Sequence, residues 1–223
     1  MRWGVFIVCI MGWAWPAWAL TCPTPVQPQV VMNVAEDPIQ YDLSKNRTML
    51  NQLGGSALVA RRTFNSNSYV GGLTNGTIDS DVQAEVQALT SSDGSACLWV
   101  SKVNIQINYH PVVYVSHEFM PGTCYYAAVL EHEHKHVATD LNLISQFGPI
   151  LQQAVQEVAV QNGHVGPFPK DQIETIDQNI HGIFQSRLNE VMDRMSATRQ
   201  TAQAQIDVPQ EYARVQALCR NWP

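Results

Sequence analysis

Residues 131–136 read Glu131-His132-Glu133-His134-Lys135-His136, and no other stretch restricts the fold as tightly. On an α-helix, residues four apart lie on one face, one turn apart. His132 and His136 can then offer two imidazole nitrogens to one metal ion. Glu133 lies about 100° further round the helix, placed to hold or deprotonate a water on that ion. The flanks, Ala127 to Leu130 and Val137 to Leu143, read as helix. His134 points roughly 200° away from His132 and reads as a surface or packing residue. The His-Glu-x-x-His spacing is that of zinc-hydrolase helices.

The chain opens with Met1-Arg2-Trp3-Gly4, an apolar run from Val5 to Trp15, and Pro16-Ala17-Trp18-Ala19. A basic start, a short apolar core and an Ala-x-Ala site predict a signal peptide over residues 1–19, cleaved after Ala19. No later segment reaches the ~18 apolar residues that a membrane span needs. No stable span is therefore expected after leader cleavage, and the chain should be exported, to the periplasm or beyond. Residues 20–223 are long enough for one sizeable core and are read as a single domain. The leader holds one arginine and no acid, so its removal makes the formal net charge of −6 more negative by one. A basic footprint is missing, which argues against nucleic acid as a partner.

Cys22, Cys97, Cys124 and Cys219 follow the leader. An even number in an exported chain predicts two disulfides, with three possible connectivities. Cys97 begins a strand and Cys124 begins the motif helix, whereas Cys22 and Cys219 sit at the two ends. This placement favours Cys97–Cys124 and Cys22–Cys219. No Cys-x-x-Cys pair is present, so thiolates are poor candidates for zinc ligands.

The first half of the chain reads as strand and turn. Cys22 to Pro38 is an extended lead-in, and Ile39 to Leu43 could be a strand. Ser44 could cap a short helix through Leu53, ended by Gly54-Gly55. Asn65-Ser66-Asn67-Ser68, Gly71-Gly72 and Asn75-Gly76 imply turns and irregular strands, and Asp81 to Leu89 could be helix or loop. Val103, Ile105, Ile107 and Tyr109 alternate with polar residues, the signature of a half-buried strand. His110-Pro111 should break it, leaving Val112 to Val115 as the second arm of an antiparallel hairpin. His110 and His117 read as surface or turn residues.

The second half reads as helix. Thr123 can cap a helix from Cys124 to about Phe147, where Gly148-Pro149 stops or kinks it. A further helical segment runs to about Gln161, and residues 164–169 form a loop. Asp171 to Gln205 is one long helix, with Ile173, Ile176, Ile180, Phe184, Val191 and Met195 along one line. Glu211 to Cys219 is a short terminal helix. Strands first and helices second predict an α+β domain, a small antiparallel sheet packed against the motif helix and a long C-terminal helix.

The chain resembles a family of predicted secreted bacterial zinc-dependent proteases. The resemblance is carried by the leader, Tyr41-Asp42-Leu43-Ser44, the Cys97 strand, His132-Glu133-His134-Lys135-His136-Val137, and a late Arg/Gln-rich helix running into Ile206-Asp207. It implies a zincin-like fold in which an edge strand binds the substrate backbone by strand addition.

A catalytic zinc takes three protein ligands and keeps one position open. Asp140, one turn beyond His136, is the nearest acid. In a straight helix its Cα lies ~12 Å from that of His132, so it suits a supporting role equally well. Glu190 and His181 on the long helix are the alternatives. The expected chemistry is a Zn2+ peptidase acting on a peptide or protein substrate, with Glu133 as general base. Tyr125, Tyr126, Tyr212 and His181 are candidates for stabilising the oxyanion. Two other functions fit the same residues: a periplasmic metal-binding protein using His132, His134 and His136, and an inactive zincin-derived envelope scaffold.

Overall fold

The computed structural model describes residues 20–24, 26–54 and 71–222. The expected leader and the Asn/Ser-rich turns at 65–68 lie outside the described residues. In chain order the elements are β1 (Gln29–Glu36), β2 (Gln40–Asp42), α1 (Arg47–Leu53), β3 (Gly72–Thr90), β4 (Ser95–Val115), α2 (Cys124–Asn162), β5 (His164–Pro169), α3 (Ile173–Ile206) and α4 (Pro209–Ala217). The fold is mixed α+β, with a small open sheet and a long C-terminal helix.

Strand β4 is the spine of the sheet. β3 pairs antiparallel with it along its whole length. The other edge is shared in turn by β5, antiparallel, then β1 and β2, both parallel. The alternation read in the sequence is the burial pattern: Val103, Ile105, Ile107 and Tyr109 are buried. Ser101 is an extra residue between the Val86–Val100 and Glu85–Lys102 pairs. This bulge moves the buried set from Leu98 and Val100 to the odd-numbered positions, as a one-residue insertion must when side chains alternate.

The sequence reading needs correcting where it split this strand. His110-Pro111 does not break it, and Val112 to Val115 is not a hairpin arm. Pro111 faces Gly76 in the ladder. A proline is tolerated at a position whose missing N–H is not called on for a ladder bond. The partner of the hairpin is β3, which also takes up Asp81 to Leu89, expected as helix or loop. The lead-in contains β1, and residues 164–169 are β5 rather than loop. Asn46, not Ser44, caps α1, its side chain accepting from Met49 N.

One face of the sheet is covered by the helices. Thr123 caps α2 as expected, accepting from Tyr126 N. The helix then continues through Pro149 to Asn162. An interior proline forfeits a hydrogen bond and costs about 3 kcal/mol. Here the buried stripe runs unbroken through Ile144, Gly148, Leu151 and Val155. Each fully buried Leu, Ile or Val contributes about 1.5–3 kcal/mol, so packing on both sides outweighs the proline. At Gly148 the Met32 side chain of β1 packs against the helix, its methyl 2.7 Å from where a Cβ would stand. Helix α3 returns along α2, burying Ile180, Phe184, Leu188, Val191 and Met195. Among the described residues no helix is long and apolar enough to cross a membrane.

The four cysteines are all bridged, but not in the favoured pairing. The disulfides are Cys22–Cys97 and Cys124–Cys219. The lead-in folds back on the start of β4, and α4 folds back on the start of α2. Each end is tied to the element it packs on, not to the other end. Two disulfides fit a protein of an oxidising compartment.

Candidate functional site

Helices α2 and α3 run antiparallel, and both carry polar residues at four-residue spacing toward their shared seam. From α2 come His132, His136 and Asp140. From the end of α3 and beyond come Arg199, Gln203, Asp207 and Glu211. A spacing of four keeps His132, His136 and Asp140 on one face of α2 and Arg199 and Gln203 on one face of α3, whereas Asp207 caps α3 and Glu211 lies in α4. The opposite chain directions then match them in reverse order. Asp140 meets Arg199, His136 meets Gln203, and His132 meets Asp207 and Glu211.

The centre of this seam is a group of metal-ligand type. His132, His136 and Asp207 present ligand atoms that all lie within 4.8 Å of one another. Nε2 of His132 is 3.3 Å from Asp207 Oδ1, and Nε2 of His136 is 3.4 Å from the same oxygen. Both separations are long for hydrogen bonds. They match the ~3.3 Å edge of a tetrahedron built on metal–ligand bonds of ~2.0 Å. The other nitrogen of His136 is engaged behind the site, and that of His132 faces a carboxylate at a longer distance. His132 Nδ1 is 3.4 Å from Glu211 Oε1, and His136 Nδ1 bonds Gln203 Oε1. Ligating histidines characteristically use their second nitrogen in this way. Two imidazoles and a carboxylate form a group that could hold a metal ion.

Electrostatics around the group are strongly coupled. Burial alone would lower the His136 pKa, yet the Asp207 and Glu133 carboxylates, with Gln203, outweigh it and hold it above 6.5. Glu211 is held far below the usual carboxylate range. The bonds from Arg214 are the main cause, opposed by burial and helped by Lys135 and His132. Lys135 Nζ donates to Glu211 Oε1 at 2.6 Å. A groove of about 430 Å³ along this flank is lined by Lys135, Gln205, Ile206, Val208, Gln210, Glu211 and Arg214.

Glu133 is only 3% exposed and lies under β3. The Thr74 hydroxyl donates to its Oε2 at 2.9 Å and its backbone carbonyl at 3.0 Å. Strand and helix approach this closely because β3 carries glycine where it crosses α2. A Cβ on Gly72 would come 2.8 Å from Glu133 Oε1, and one on Gly76 would come 2.6 Å from Asp140 Oδ2.

The structure separates the other expected site residues from this centre. Asp140 does not join the two histidines; Asp207 stands with them instead. Asp140 is fully buried and holds Arg199, Gln203 and Tyr109 instead. A rigid helix sets it too far along the axis to share an ion with His132. Glu190 is exposed and paired with Arg187 at 2.6 Å, and His181 is exposed beside Asp177. His134 faces the Tyr41 hydroxyl at 2.9 Å. The Tyr125 hydroxyl donates to the carbonyls of Arg220 and Asn221, and Tyr126 packs against the core. Of the four oxyanion candidates, Tyr212 stands at the group. Its hydroxyl is 2.6 Å from Asp207 Oδ1, and its ring centroid is 5.5 Å from that of His132.

Asp207 escaped the sequence reading because a helix end in another element supplies it. The available signal was the four-residue spacing of Arg199, Gln203 and Asp207, which mirrors that of His132, His136 and Asp140. Comparison of the chain with protein-family models, with curated proteins and with solved structures returned no match.

Proposed function

We propose that the protein is an exported metal-dependent peptide hydrolase of zincin type, centred on His132, His136 and Asp207, with Glu133 as general base. The observation that carries the reading is the convergence of both Nε2 atoms and Asp207 Oδ1, with Glu133 one residue from His132 on the same helix. The likeness to secreted bacterial zinc proteases points the same way. These three side chains would hold a zinc ion, which would supply Lewis acidity toward a scissile carbonyl and lower the pKa of a water toward ~7. Glu133 takes the proton from the attacking water and returns it to the departing amine. The Thr74 hydroxyl donates to Glu133 Oε2 and holds that carboxylate against β3. Tyr212 is the group we assign to the oxygen that gains charge, where a positioned donor contributes most. Its short bond to Asp207 makes it also a candidate for steadying the carboxylate.

A metal-holding protein without turnover is the second reading. It is favoured by the burial of His132, Glu133 and His136, which are 5%, 3% and 7% exposed. A buffer built on three alternating histidines is a weaker form of it, since His134 is turned to Tyr41. Metal content and peptide hydrolysis together separate the readings. The wild type should hold one zinc per chain. Glu133→Gln should keep that zinc and lose roughly 100-fold or more in hydrolysis, the usual scale for a general base. Asp207→Asn should lose the zinc. Retained hydrolysis in Glu133→Gln would sink the mechanism, and zinc binding with no hydrolysis in the wild type would leave the metal-holding reading.

A further inference from the structure

We infer that Gln203 and Asp140 are positioning residues that hold His136 in the one tautomer able to ligate a metal through Nε2. This rests on the reading of His132, His136 and Asp207 as a metal centre. Arg199 sets the direction of the whole chain of bonds, because a guanidinium carries only donors. Arg199 Nε donates to Asp140 Oδ1 at 2.6 Å, and its Nη2 donates to Oδ2 at 2.7 Å. The same Nη2 donates to Gly76 O at 2.7 Å, and the Tyr109 hydroxyl donates to Asp140 Oδ2 at 3.0 Å. Asp140 therefore faces its neighbours as an acceptor on both oxygens.

That fixes Gln203. Asp140 Oδ1 lies 2.6 Å from the end of the Gln203 amide, and an acceptor there demands the NH2 group. The backbone carbonyl of His136, a second acceptor, lies 3.0 Å from the same nitrogen. Both amide hydrogens are then used. The amide oxygen is left facing His136 Nδ1, with which it bonds. An oxygen in that position can only accept, so Nδ1 carries the hydrogen. Nε2, turned toward Asp207, keeps its lone pair whenever the ring is neutral. Flipping the amide would set its oxygen against two acceptors at once. The direction of one hydrogen bond is thus passed from Arg199 through Asp140 and Gln203 to the ring. Asp140 serves the site without touching the ion.

The tautomer can be read directly in the full chain with ring-15N-labelled histidine, after chelator treatment, at a pH above the titration of the His136 ring resonances. The expected wild-type spectrum has His136 protonated on Nδ1 and bare on Nε2. Gln203→Leu, at a half-buried position near the helix end, should give a mixture or the opposite tautomer. It should also weaken zinc binding by roughly 10–100-fold, the scale of such supporting partners. Gln203→Met serves if the leucine variant does not fold, and circular dichroism with intact disulfides checks the fold of each. Asp140→Asn, which can turn an NH2 toward Gln203, should shift the tautomer in the same direction. An Nε2-protonated wild type overturns the inference, as does a tautomer and zinc affinity unchanged in a folded Gln203 variant. If the tautomer depends on Gln203 but the wild type binds no zinc, the metal reading falls and the positioning stands.

Discussion

His136 stands between the carboxylates of Asp207 and Glu133 and the amide of Gln203. Its folded pKa is raised, because Asp207, Glu133 and Gln203 together outweigh the opposing effect of burial. A histidine whose pKa rises on folding contributes stability that is complete below its unfolded value, ~6.5. That contribution is lost as pH climbs through the raised folded value. In chelator-treated protein, the wild type should therefore lose melting temperature relative to His136→Gln as pH rises from about 6.5. Zinc competes for the same nitrogen, so its affinity should increase over the same window. A wild-type-minus-variant difference that stays flat from acid to alkaline pH would contradict the assignment. His132, Glu133 and His136 were legible in the sequence because a helix turns spacing into direction. Asp207 was not, because its partners lie in another helix and nothing local marks it.

At the scale of elements, the critical contact is the crossing of β3 over α2. A Cβ on Gly72 would meet Val129 Cγ1 at 2.6 Å and Glu133 Cγ at 2.8 Å. Neither partner is the loose end of a long chain, so the strand and helix must part. Gly72→Ala should destabilise by about 1–3 kcal/mol, the range for overpacking. It should also lower activity beyond what that loss explains, because the Thr74–Glu133 bond opens. Gly182 is the contrasting position, inside α3, where a Cβ would have nothing within 4 Å of it. Gly182→Ala should stabilise by about 0.5–1 kcal/mol, since alanine gives up less backbone freedom in a helix. Urea denaturation of the two variants measures both. A neutral Gly72→Ala would mean that the crossing is looser than these distances. Here too the sequence was only partly legible. The alternation of β4 was plain, whereas its passage through Pro111 and that of α2 through Pro149 depend on neighbours that no local pattern names.

Across the whole molecule, the two disulfides do different work. Cys124–Cys219 closes a sequence separation of 95 residues and Cys22–Cys97 one of 75. Loss of either should cost about 2–5 kcal/mol. Only the first holds α4, which carries Glu211 and Tyr212 to His132 and Asp207. The paired change Cys124→Ala with Cys219→Ala should weaken zinc binding as well as stability. Cys22→Ala with Cys97→Ala should lower stability alone, because roughly 40 Å of strand lies between Cys97 and Tyr109, whose hydroxyl reaches Asp140. Competition with a chromophoric chelator distinguishes the two, and equal zinc affinity in both variants would show that α4 is not held by its disulfide.

The six residues from Glu131 to His136 carried the local half of the site. Helical spacing alone put His132 and His136 on one face and turned His134 away. Side-chain alternation likewise made β4 a half-buried strand. These properties repeat every two or four residues, so they can be read from neighbours in the chain. The acid that joins the two histidines, the partner of each cysteine and the contacts of Asp140 lie between residues some 60 to 95 positions apart. They were settled by the antiparallel return of α3 along α2 and by the closing of α4. Those contacts depend on which buried faces meet, and that is a property of the packed chain as a whole.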